Sequence, residues 1–213
     1  SPTNPLLEEA DLATCLPVAR SAGVRTVVDN TFATPILQRP LELGAQVVMH
    51  SATKSLSGHS DLLMGALVTE DPELAEKLRT RRILLGAAPS AFDAYLALRG
   101  VRTLALRIQR AEASAQFLAE KLRSELSISR VRQTGTMVSI EFGGDADRAD
   151  RVCQGTRLWA HATSLGGVES LLERRRRWPL EAEHVPEDLV RLSVGIEDPS
   201  DLWADLAHAI HAG

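Results

Sequence analysis

The sequence predicts an α/β fold: a mostly parallel sheet, followed by a smaller α+β unit. Three observations carry this. Short β-branched runs alternate with amphipathic helical stretches through the first hundred residues. Residues 103–126 then hold an unbroken apolar stripe at helical spacing. Beyond that stripe the texture changes to short, paired strand-like runs and one closing helix.

Each element has a local reason. Residues 6–22 read as an amphipathic helix interrupted by Pro17, with Gly23 as its stop. Residues 25–29 form a short buried strand. Thr34-Pro35 opens a loop, and Pro40 starts a helical turn that ends at Gly44. Residues 46–50 and 65–69 supply a second and a third strand. Asp71-Pro72-Glu73 caps a helix running to about Leu85, because aspartate accepts from the first free amides and proline has none to lose. Residues 91–98 make another helix. In the long helix, Leu104, Ile108, Ala111, Ala115, Leu118 and Leu122 share one face. Residues 128–132 and 137–142 read as paired strands, 147–158 as a helix and 189–194 as a strand. Asp198-Pro199 starts the last helix, through His208. A boundary after Gly100 divides the chain into residues 1–100 and 101–213.

Composition narrows the function. Of 213 residues, 44% are hydrophobic and 24% charged, which is ordinary for a soluble globular chain. A formal charge of −4 gives no general pull toward nucleic acid or anionic lipid. No apolar run approaches the ~18 residues that span a bilayer. The opening Ser-Pro-Thr-Asn-Pro lacks the basic-then-apolar pattern of a signal peptide. Cys15 and Cys153 lie far apart in helix-like surroundings, and both read as buried free thiols of a reducing, cytoplasmic compartment. The basic run Arg174 to Arg177 reads as a solvated loop in an acidic chain.

The chemistry concentrates at two strand ends. Val47-Val48-Met49-His50 runs into Ser51-Ala52-Thr53-Lys54, then into a Gly58 turn. Upstream, Thr26-Val27-Val28 ends in Asp29-Asn30-Thr31. Two strands thus deliver an acid and an amine to one sheet edge, and open α/β sheets bind ligands outside the carboxyl ends of their strands. A lysine that forms a Schiff base, paired with an aspartate that holds a pyridinium nitrogen, is the chemistry of pyridoxal 5'-phosphate (PLP). The plainer alternatives are a surface lysine in a turn and an Asx-turn at Asp29. His59 and Asp61 define no metal site at their spacing and read as a hydrogen-bonded turn.

Seven runs together resemble a known family. They are Ser1-Pro-Thr-Asn-Pro5, Val28-Asp-Asn-Thr-Phe-Ala-Thr-Pro35, His50-Ser-Ala-Thr-Lys54, Gly58-His-Ser-Asp61, Leu98-Arg-Gly-Val-Arg-Thr-Leu104, Ser164-Leu-Gly-Gly-Val-Glu-Ser170 and Arg191-Leu-Ser-Val-Gly-Ile-Glu197. In this order they resemble the Cys/Met-metabolism PLP enzymes: cystathionine γ-synthase, cystathionine γ-lyase, methionine γ-lyase and their relatives. The resemblance implies the aspartate aminotransferase-like fold (fold type I), with part of the large domain and the small carboxy-terminal domain present. It also implies that the family's amino-terminal part is missing: its phosphate loop, its ring-stacking tyrosine and a Tyr/Arg pair lent to a neighbouring subunit. A second gap is expected between Arg132 and Gly135.

Residue by residue, the resemblance implies these roles. Lys54 carries the cofactor and shuttles protons. Asp29 keeps the pyridine nitrogen protonated. Ser51 and Thr53 donate to the phosphate, and Thr31 packs near the ring. Asn4 reaches the cofactor's phenolic oxygen or the substrate carboxylate. Arg191 clamps the substrate α-carboxylate with its planar fork, and Ser164 adds a contact. Thr163 stands where cystathionine-handling relatives usually carry a glutamate, which weakens recognition of a distal amino group. The expected activity is transsulfuration at Cγ, of cystathionine γ-lyase or γ-synthase type, on a small sulfur amino acid. Methionine γ-lyase and homoserine-ester sulfhydrylase are the alternatives, and an inactive folding or assembly module is the alternative of another class. The family implies a homo-oligomer, a dimer of dimers.

Overall fold

The structure, a computed structural model, describes residues 1–212, and the chain divides into two units. The first comprises Ser1 and Glu9–Leu104; the second comprises Pro2–Glu8 and the chain from Ala105 onward. Asn4 therefore belongs with the carboxy-terminal unit.

In the first unit, helix α1 (Leu12–Ser21) starts later than the apolar pattern suggests. Asp11 accepts from the Thr14 amide at 3.1 Å and so fixes the helix start, leaving residues 6–10 non-helical. Strand β1 (Val27–Asp29) pairs in parallel with β2 (Val47–Ser51), with Val27 opposite Val47 and Asp29 opposite Met49. Between them lies α2 (Thr34–Leu37), a helical turn where a loop was expected, with Pro35 in its first turn. Strand β3 (Gly65–Val68) runs antiparallel to β2, so this sheet is mixed rather than mostly parallel. A parallel return needs a crossover connection. Residues 52–64 fold instead into a local turn, closed where the Thr53 amide meets the Met64 carbonyl at 3.1 Å.

Alternation sorts the sheet's two faces. Val28 and Val48 pack against Leu16 and Leu12 of α1, with Ala45 and Leu41. Asp29, Met49 and Ser51 stand on the opposite, more open face. Helix α3 (Pro72–Leu84) is capped as its sequence implies, Asp71 accepting from Glu73 and Leu74. Helix α4 (Ala91–Val101) starts with a reciprocal Ser90/Asp93 capping box. Helix α5 (Leu104–Arg123) begins at the junction, and all six residues of its predicted stripe are buried.

The second unit is a five-stranded sheet covered by helices. Its elements are β4 (Arg130–Thr134), β5 (Met137–Glu141), α6 (Ala146–Gly155), β6 (Ala160–His161), β7 (Leu171–Arg174), β8 (Val190–Ser193) and α7 (Pro199–Ala212). The strand order is β4-β5-β8-β7-β6, antiparallel except for the last pair. Leu118 and Leu122 of α5, Val152 of α6, and Leu206 and Ile210 of α7 pack on Val138, Ile140, Val190 and Leu192. The other face carries Ser139, Arg191 and Glu173 side by side on β5, β8 and β7. Residues 2–8 lie against that face, where the Ser139 hydroxyl donates to the Pro5 carbonyl at 2.7 Å.

Two expectations are corrected here. Cys153 is buried on α6, but Cys15 is exposed on α1, because Leu12 and Leu16 take the inward positions. The run Arg174 to Arg177 is no solvated loop. It ends β7 and continues as a single 3₁₀ turn, and its side chains are largely buried against carboxylates.

Candidate active site

The carboxyl ends of β1 and β2 build the first half of the site. Asp29 Oδ1 accepts from the Thr31 amide at 2.9 Å, and Thr31 Oγ1 accepts from the Ser51 amide at 2.9 Å. Thr31 therefore ties the two strand ends together. Beyond Ser51 the chain winds into a wide, π-type turn over Ala52–Leu56, broken at Lys54, whose ψ of −132° is far from helical. Lys54 is half-buried. The turn is held on three sides. Thr53 Oγ1 accepts from the Met64 amide at 2.9 Å. The Gly58 amide donates to the Lys54 carbonyl at 2.8 Å. His59 Nδ1 meets the Ser57 carbonyl at 2.6 Å, the structural turn expected of it.

Helix α4 presses on this turn through Gly100. A Cβ built there would lie 2.7 Å from Ser57 Cα and would collide with the Ser57 carbonyl. On the other face of β2, buried His50 leaves Nδ1 without a partner. Burial pushes its pKa below the ordinary histidine value, against the opposing pull of Asp29 and a hydrogen bond with the Asn30 backbone.

The second unit gathers three of the predicted residues around the guanidinium of a fourth, Arg191. Arg191 Nη1 donates to Asn4 Oδ1 at 2.9 Å, and Nη2 donates to the Thr163 and Ser164 carbonyls, the latter at 3.1 Å. Thr163 and Ser164 thus meet the arginine through backbone oxygens. Their loop is pinned to β8: the Gly166 amide donates to Ser193 Oγ at 2.8 Å, and Ser170 donates to both oxygens of Glu197. Burial lowers the Arg191 pKa to about 10, with Arg175 adding to the effect and Glu173 opposing it. The guanidinium stays charged near neutrality. Its buried Nε–H has no acceptor among the described residues.

The sequence reading missed two residues. Glu173 is fully buried and pairs with Arg191 Nη2 at 3.0 Å. An acid between a Leu-Leu pair and a basic run was its only signal. Gly100 was noted as part of a motif, but its role against the Lys54 turn needs the packing. Among the described residues no cluster of three or more His, Cys, Asp or Glu side chains is placed to hold a metal. Among those residues no helix is long and apolar enough to cross a membrane.

The donors at the sheet edge suit a phosphorylated pyridine cofactor. An exposed carboxylate, a half-buried hydroxyl and a half-buried lysine follow one another at adjacent strand ends. The family model of Cys/Met metabolism PLP-dependent enzymes matches residues 1–211. A cystathionine γ-synthase of Mycobacterium tuberculosis is 44% identical over 237 residues, covering 99% of this chain and 60% of its own. That stretch is longer than the 213 residues here, so the relative carries extra residues inside the match. A cystathionine γ-lyase of Dictyostelium discoideum is 40% identical, over 99% of this chain and 61% of its own. The crystal structure of a methionine γ-lyase from Micromonospora echinospora superposes with a TM-score of 0.94 at 42% identity, over all of this chain and 64% of that one. The chain thus spans about three-fifths of the curated relatives it matches. With its lysine turn, its strand-end aspartate and its arginine-centred cluster in the family's order, this chain belongs to the Cys/Met metabolism PLP-dependent enzymes.

Proposed function

We propose that this chain supplies the lysine-bearing and carboxylate-binding parts of a PLP enzyme acting at Cγ of a sulfur amino acid, of cystathionine γ-synthase or γ-lyase type. The observation that carries this is the parallel pairing of β1 with β2, which sets Asp29 and the Ser51–Lys54 turn at neighbouring strand ends. When bound, PLP supplies an electron sink that lets a proton leave the substrate's Cα. The proton-transfer and carboxylate-binding parts fall to the chain's own side chains. Lys54 Nζ takes the Cα proton and returns it elsewhere, which a lysine can do because its pKa falls readily when it is desolvated. Asp29 keeps the ring nitrogen protonated. Ser51 donates to the phosphate, and so does Thr53, whose hydroxyl turns away from the Met64 carbonyl at 3.4 Å while its lone pair stays with the Met64 amide. Arg191 holds the α-carboxylate with the Nε–H that no protein group claims. Ser164 and Asn4 border that position.

Lyase and synthase differ in the fate of the substrate once its γ-substituent has left, and they share these residues. Thr163 favours a second reading. With no carboxylate at that position, a substrate lacking a distal ammonium group, such as methionine or a homoserine ester, is served equally well. The working form is a cytoplasmic homo-oligomer in this reading, without nucleic-acid or membrane partners.

The test is chemical. A protein carrying this chain at the length of its relatives, mixed with PLP, should show a visible absorbance band, and borohydride should fix the cofactor on Lys54. Lys54→Ala should abolish the fixed adduct. An unchanged adduct in that variant sinks the assignment. Release of a 2-oxo acid from cystathionine or methionine marks a lyase; a thioether formed from a homoserine ester and a thiol marks a synthase. An absorbance band without turnover of any of these points to the non-enzymatic module.

A further inference from the structure

We propose that Glu173 is the positioning residue of the Arg191 carboxylate clamp, a step that rests on the function proposed above. Glu173 and Arg191 face each other as a direct cross-strand pair on β7 and β8. Both are buried, Glu173 completely. The carboxylate takes four donors, as many as its lone pairs accommodate. Oε1 receives Arg191 Nη2 at 3.0 Å and Arg175 Nη1 at 2.5 Å; Oε2 receives Trp178 Nε1 at 3.1 Å and Arg177 Nη2 at 3.3 Å. Arg175 is itself anchored by Glu181, which its Nε reaches at 2.7 Å. The acid therefore has no freedom to turn, and what it holds is held in one orientation.

That orientation leaves a particular edge of Arg191 to spare. Asn4, Thr163, Ser164 and Glu173 occupy the two terminal nitrogens, while Nε–H is buried with no acceptor. An orphaned buried donor of a charged group is costly to keep unless a ligand answers it. A carboxylate group on the ligand is the matching chemistry. A buried ion pair is by itself weak evidence for stability, since apolar residues of similar volume serve a fold as well. Glu173 does what an apolar residue cannot. It draws Nη2 to a fixed point and offsets the repulsion of Arg175 and Arg177, which would otherwise push the third guanidinium aside.

The experiment compares Glu173→Gln with wild type in the holoenzyme, using each substrate as the free α-carboxylate and as the α-carboxamide. The amide keeps the shape of Glu173 but points N–H groups at the arginines. The KM for the acid substrate should rise about tenfold while kcat changes less than about threefold, the signature of lost uniform binding. The preference for acid over carboxamide should fall with it. Glu187→Gln removes a carboxylate partner of Arg176, outside the set around Glu173, and should leave the acid/carboxamide preference intact. Should Glu173→Gln fail to fold, Arg175→Met frees one side of the same carboxylate and should weaken the preference in the same direction. Wild-type KM and preference in whichever of the Glu173→Gln and Arg175→Met variants folds overturn the proposal, as does a Glu187→Gln variant that loses the preference equally. A wild-type holoenzyme that turns over no amino acid overturns the parent function and this proposal together; active wild type with unaltered variants overturns this proposal alone.

Discussion

In the function proposed above, Lys54 and Arg191 are two cations that are not interchangeable. The proton-transfer role needs an amine that can lose its proton, and the clamp needs a planar donor that cannot. Two other residues make testable statements about burial. His50 is buried and its folded-state pKa lies below the unfolded value of about 6.5. The unfolded chain therefore binds the proton first. Stability is full above about pH 6.5 and falls as pH drops from there through the lower folded-state value. Thermal unfolding of His50→Gln should show a flatter slope below pH 6.5 than wild type; parallel slopes would mean that this imidazole carries no linkage. Cys153 is pushed up to about 12, first by burial and then by Asp150, so it stays a neutral thiol at neutral pH. A thiol reagent at pH 8 should label exposed Cys15 at once and Cys153 only on unfolding.

At the scale of elements, the position of Lys54 depends on α4 lying directly on its turn. Gly100 permits that approach, because any side chain would enter the Ser57 backbone. Gly100→Ala forces the helix and the turn apart, and overpacking of this kind costs about 1–3 kcal/mol. PLP affinity should fall more in this variant than in Gly65→Ala, where the added carbon meets only the His50 carbonyl at 4.0 Å. Equal affinities would show that the turn adjusts freely. The loop that carries Ser164 depends on a similar device. Gly195 passes so close to Val168 and Glu197 that a Cβ would sit 2.5 Å from Glu197 Oε2, the oxygen that receives Ser170.

Across the whole molecule the apolar residues are unevenly covered. The second unit closes a contiguous core of aliphatic side chains from α5, α6, α7 and the sheet. The first has a small core around Leu16, Val28 and Val48, and it leaves Leu63, Ile83, Leu84, Leu85 and Phe92 largely exposed. Exposed apolar groups in such number favour association. The 213-residue chain on its own should bind a fluorescent apolar dye and self-associate as its concentration rises. Amide exchange should be slowest in β5, β8 and α7 and much faster in β3 and α3. A monodisperse, dye-silent monomer would contradict this account.

The sequence by itself determined whatever depends on near neighbours. Asp71 and its proline capped α3, the 3.6-residue period of α5 picked out its buried face, and Asp29 and Lys54 were visible as polar stops to β-branched runs. Seven ordered motifs were enough to point to the family. Tertiary structure decided what depends on distant partners. The direction of β3 came from how residues 52–64 closed, not from the strand's own pattern. Cys15 faced solvent because its neighbours won the inward positions. The arginine run was buried because its neighbour Glu173 is itself buried in β7 and because Asp150, 24 positions away, and Glu187 were there to meet Arg174 and Arg176. Asn4 and Arg191 were both singled out from their motifs, yet their contact spans 187 positions. Local energies repeat with a short period and can be read from spacing. Burial of charge is settled only when the partner that compensates it is brought alongside.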